Sequence, residues 1–150
     1  MLTGMAAREE LLDLMDEARG ELTAVTDRLR TRLDEVADAD GKTVRELLVH
    51  FAGWQRVAAR RIGTKLAGGE TKPIEADDYN PLLSAIGAFW TNDEALWEFN
   101  DAYGRLVDAV RSAPEAECGP EGWAYRWAER TGRSHYPDHL PDLARLAAES

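Results

Sequence analysis

Apolar residues at Leu11, Met15, Ala18, Leu22, Val25, Leu29 and Leu33 recur in steps that alternate between four and three. That spacing lays them along one stripe of an α-helix but scatters them over both faces of a strand. It predicts a single amphipathic helix from about Ala7 to about Glu35. Asp38-Ala39-Asp40-Gly41 then reads as a turn. Thr43-Val44-Arg45-Glu46 is a capping box, with a Thr N-cap and a Glu three residues on. It opens a second helix carrying Leu47, Phe51, Trp54, Ala58, Ile62 and Leu66, which Gly68-Gly69 ends.

The stretch from Glu70 to about Trp90 is interrupted by Pro73 and Asn80-Pro81, and a short helix is expected from Pro81 through Ala88. Thr91-Asn92-Asp93-Glu94 is a second capping box. Its helix sets Leu96, Phe99, Tyr103, Leu106 and Val110 on one face and stops before Pro114. Trp123 to Arg130 reads as one or two helical turns, interrupted by Gly132. The final helix has two readings: a start near Ser134 with a kink at Pro141, or a start near Asp138. From Leu140 to Ala147 the pattern is helical. The expectation is therefore an all-α chain in which residues 1–150 form one domain. Its four main helices are expected to pack as an antiparallel bundle, with the longest connection between the second and third.

Charge narrows the partners. A formal net charge of -10 disfavours nucleic acid and anionic membrane surfaces. No apolar run is long enough to span a bilayer, and no basic-then-apolar leader opens the chain, so the cytoplasm is the expected location. The single cysteine, Cys118, cannot form an internal disulfide and reads as incidental.

The chemistry lies in three histidines. His50 falls in the second turn of the second helix, on a stripe with Trp54 and Val57. His135 and His139 are four apart, a step that stacks two imidazoles on one helical face if the helix includes both. A third imidazole from another helix makes a three-nitrogen metal site with open positions. Tyr136, not Glu, follows His135, so the zinc-protease arrangement is absent. Asp142, three residues after His139, is placed to orient that imidazole. Trp54, Trp123, Trp127 and Tyr136 are candidates to line an aromatic substrate cleft.

Thr43-Val44-Arg45-Glu46-Leu47-Leu48-Val49-His50-Phe51-Ala52-Gly53-Trp54 resembles the second-helix signature of the DinB-like superfamily, and His135-Tyr136-Pro137-Asp138-His139-Leu140 resembles its C-terminal histidine pair. Helix order and spacing resemble the superfamily over nearly the whole chain. The approach to the pair is most similar to the branch containing the colibactin self-resistance protein and its relatives. The resemblance implies a DinB-like antiparallel four-helix bundle with a divalent metal, zinc or nickel, held by His50, His135 and His139. It also implies a metal-dependent thiol transferase or hydrolase acting on a small electrophile, with a low-molecular-weight thiol as a cosubstrate. The competing expectation is a non-catalytic protein that sequesters a small molecule, because no general base is evident. Homodimerisation through a face containing Trp90 or Trp97 is compatible with both.

Overall fold

The computed structural model describes residues 4–149, with side chains from residue 7. Its described residues are all-α: six α-helices and no strand. They are α1 (Gly4–Arg28), α2 (Val44–Leu66), α3 (Ala76–Phe89), α4 (Asn92–Ser112), α5 (Trp123–Glu129) and α6 (Leu140–Ala148). None is long and apolar enough to cross a membrane.

α1 ends at Arg28, five residues before its apolar stripe does. Beyond Arg28 the backbone tightens into i→i+3 bonds, Leu29 N–H to Thr26 O and Arg32 N–H to Leu29 O. The tighter turns keep Leu29 and Leu33 buried, so the stripe outlasts the helix. The expected Asp38–Gly41 turn is present: Gly41 takes φ +85°, and Asp38 Oδ1 accepts the N–H groups of Asp40 and Lys42. It delivers the chain to Thr43, whose hydroxyl accepts the Glu46 N–H and starts α2.

Every residue of α2 from Leu47 to Gly53 is buried. A helix apolar on all sides needs cover on all sides. α4 and α3 pack along α2, and the segment from α5 to His135 covers the rest. α3 lies close to α2 through two glycines. A Cβ on Gly53 would fall 2.3 Å from Leu83 Cδ2, and one on Gly87 would fall 2.8 Å from Glu46 Cα.

The helix expected from Pro81 begins five residues earlier, at Ala76, which puts Pro81 inside it. Pro81 cannot donate to the Asp77 carbonyl, and the helix tolerates this on its exposed side. Only Leu83 and Gly87 of α3 are buried. Phe89, at 87% exposure, and Trp97, at 64%, leave apolar surface along α3 and α4. The Thr91 capping box is complete, with both reciprocal bonds made.

Two apolar clusters form the core. One gathers Leu22, Leu29, Leu33, Leu47, Phe51, Phe99, Tyr136 and Leu143. The other gathers Leu11, Met15, Ile62, Leu106, Val110, Cys118 and Ala128. The α6 end is held by arginines from the α1 side: Arg28 donates to Ala147 O, and Arg32 to Leu146 O and Glu149 O, all at 3.0 Å. These cations cover the carbonyls at the helix C-terminus, where Leu146 O also accepts the Glu149 N–H.

Candidate metal centre

His50 is placed by the Thr43 cap, which sets the register of α2, and is 6% exposed. His135 and His139 do not share a helix. α5 runs on into a π-turn, Arg130–Ser134, closed by the His135 N–H bonding to Arg130 O at 2.9 Å. A 3₁₀ turn, Tyr136–Asp138, follows, and α6 starts after His139. Both prolines sit where their missing N–H does no harm, Pro137 at the head of the 3₁₀ turn and Pro141 at the head of α6. Of the two expected starts of the final helix, the one near Asp138 is close to the observed start at Leu140, and it leaves His135 in the turns before the helix. The π-turn and the 3₁₀ turn together aim the two rings at one point. Gly132 belongs to this path, because a Cβ there would fall 3.1 Å from Met15 Cε.

The three imidazoles converge. Their ring centroids lie 4.8 Å (His50–His135), 4.9 Å (His50–His139) and 5.1 Å (His135–His139) apart. His50 Nε2 and His135 Nε2 are 3.0 Å apart, and one nitrogen from each of the three rings lies within 4.8 Å of the others. A tetrahedral zinc with Zn–N of about 2.05 Å spaces its nitrogens about 3.4 Å apart, inside that range. The group can therefore hold a metal ion. An all-imidazole set suits zinc, nickel or copper better than magnesium or calcium.

Electrostatics favours the ligating state. Burial, followed by the two neighbouring imidazoles, lowers the His50 pKa to about 3. Burial and His139 lower His135 to about 4. His139 is also lowered, mainly by burial. Neutral rings with free lone pairs are what a cation needs. The Phe51 ring closes one side, 5.4 Å from both His135 and His139.

The cluster forms one wall of a cleft of about 410 Å³. Its other walls include Lys42, Trp54, Ala76, Asn80, Arg130, Thr131 and Asp138. Of the four aromatic residues expected there, only Trp54 lines it. The Trp54 indole N–H donates to Asn80 Oδ1 at 2.8 Å, and its ring meets Tyr79 edge-on. Trp123 and Trp127 instead pack against the second core cluster, because α5 turns that side toward Ala58 and Leu106. Tyr136 points into the first cluster and is 1% exposed. Its hydroxyl accepts from the Gln55 amide at 2.7 Å and lies 3.4 Å from Arg19 Nη1. Asp142 does not reach His139; its carboxylate pairs with Arg145 one turn on.

The acid beside the rings is Asp138, bonded to Arg130 at 3.0 Å. The Arg130 bond holds the Asp138 carboxyl below its ordinary range, assisted by the histidines. Lys42, Asn80, Arg130 and Asp138 come from four separate places in the chain. No motif spacing links them, although the charged pair flanking His135 and His139 was a usable local signal. Compared with protein-family models, with curated proteins and with solved structures, the chain finds no match.

Proposed function

We propose that His50, His135 and His139 hold a zinc or nickel ion, and that the chain is a DinB-like protein acting on small electrophiles as a metal-dependent thiol transferase or hydrolase. The observation that carries this is the convergence of three neutral imidazoles, two buried and one half-buried, on the wall of an open cleft. Three protein ligands leave coordination positions for a water or a thiol. A divalent ion lowers the pKa of such a group, so that its deprotonated form persists near neutral pH. The protein contributes the neutral donors, the Phe51 wall that keeps water from one side, and the Trp54 face against which a substrate can lie. The DinB-like reading, with its antiparallel four-helix core and α3 in the long connection, is supported by the helix order and by the positions of the three histidines in it.

The test is elemental analysis of protein purified without an affinity tag. About one zinc or nickel per chain is expected, with loss of that metal in a folded His50→Ala variant. Failure of untagged protein to retain or take up either metal would sink the proposal. One observation favours the non-catalytic alternative. Asp138 is held by Arg130, and Glu46 lies at the Thr43 cap, so neither carboxylate is free to act as a general base. Product formation from a thiol and an electrophile such as monobromobimane, dependent on the metal and on His50, separates the two readings.

A further inference from the structure

Beside the imidazole nitrogens of the cluster, the cleft presents two donor side chains without a protein partner. Lys42 lines the cleft, and among the described residues its ammonium makes no ion pair; its backbone is engaged, the N–H donating to Asp38 and the carbonyl accepting from Ala37. Asn80 also lines it. The indole N–H of Trp54 is donor-only, so it fixes Asn80 Oδ1 as its acceptor and turns the amide NH₂ outward. That NH₂ has no acceptor among the described residues. The cleft's one carboxylate, Asp138, pairs with Arg130 through Oδ2.

Charge points the same way. The chain carries a net -10, yet among the residues that line this cleft the Arg130–Asp138 pair cancels and Lys42 keeps one positive charge, with Asp38 and Asp142 acting on His139 from outside the lining. Three neutral ligands would leave the full charge of a bound divalent ion uncompensated. Beside Asn80 the Trp54 indole gives the same cleft a flat apolar wall. Unpartnered donors and positive charge at one side of an aromatic wall describe the complement of an acceptor-rich ligand.

We infer that the cleft binds small organic anions bearing a flat apolar group, with the anion held between the histidine cluster and the Lys42 ammonium and the apolar part against Trp54. This rests on the metal reading for half of the anion's contacts and on Lys42 and Asn80 for the other half. A carboxylate satisfies all of these donors at once. Its neutral amide isostere turns an N–H toward them and leaves one donor unpaired.

The test is calorimetric titration of benzoate, benzamide and zinc into the wild type, Lys42→Met and Lys42→Arg, with the benzoate and benzamide arms run on zinc-loaded and on metal-free protein. Benzoate is expected to bind the zinc-loaded wild type saturably, with benzamide at least about tenfold weaker. Lys42→Met should weaken benzoate about tenfold while zinc affinity is unchanged, and Lys42→Arg should restore most of the loss. Equal binding of benzoate and benzamide, a Lys42→Met variant with wild-type benzoate affinity, or no saturable benzoate binding in either state would overturn the inference. If zinc does not bind at all, the metal reading falls. The benzoate and benzamide comparison on metal-free protein then decides the anion inference alone.

Discussion

Gln55 has no exposed surface, and its amide grips the segment carrying His135 at two points. It donates to Thr131 O at 3.1 Å and to the Tyr136 hydroxyl at 2.7 Å. Because Gln55 and His50 share α2, this amide ties the register of one ligand to that of another. Arg19 completes the clamp. Its guanidinium donates to Phe99 O at 2.8 Å and lies 3.6 Å over the Phe99 ring, a buried cation held by a carbonyl and aromatic faces. Gln55→Leu keeps the volume but removes the side-chain donor to Thr131 O and leaves the Tyr136 hydroxyl with Arg19 alone at 3.4 Å. The expected cost is about 1–3 kcal/mol of stability in urea denaturation. Zinc affinity should fall about tenfold in a chelator competition, as for outer groups that orient metal ligands. An unchanged zinc affinity would show that Gln55 supports the core and not the site. None of this was legible in the sequence, where Gln55 is one polar residue in an apolar run. The histidines were legible, because their number is small and two are four apart. Asp142 misled because helical spacing suggests a partner for His139 without showing that Arg145 competes for it.

At the scale of elements, the signals that held were those in which side chain and backbone meet locally. The Thr43 and Thr91 caps and the Gly68 stop, with φ +80°, lie where their chemistry requires. Periodicity was less reliable at ends. The Leu29–Leu33 spacing continues through 3₁₀ turns, so α1 looked longer than it is. Pro81 looked like a helix start because proline suits a first turn, yet the exposed side of α3 accepts it deeper in. The π-turn had no sequence signature, since it is set by i→i+5 backbone bonds such as His135 N–H to Arg130 O. α3 depends on close approach at Gly87, where an added Cβ would meet the Glu46 backbone, which cannot rotate away. Gly87→Ala is therefore expected to destabilise the fold by about 1–3 kcal/mol, measured as a lower urea midpoint. A midpoint equal to or above that of the wild type would show that α3 can shift freely. Because α3 carries Asn80, the same substitution should also disturb the Trp54 environment, visible in fluorescence.

For the whole molecule, the buried imidazoles link stability to pH. An unfolded histidine titrates near 6.5, whereas His50 and His135 in the fold titrate at about 3 and about 4. Below pH 6.5 the unfolded chain binds more protons, so acid favours unfolding. Their contribution is complete above pH 6.5 and is lost as the pH falls toward 4 and then 3. Over that window metal-free protein should lose roughly 1.4 kcal/mol per pH unit for each histidine, read from urea midpoints at a series of pH values. A His50→Phe variant should show a shallower slope, and an unchanged slope would contradict the burial argument. The site also has a place in the order of assembly. His50 and His135 are 85 residues apart, and they meet only after a long loop closes. A chain leaving the ribosome cannot present three imidazoles until residue 139 has emerged. A metal held by all three rings would therefore be captured only after nearly the whole chain has been made.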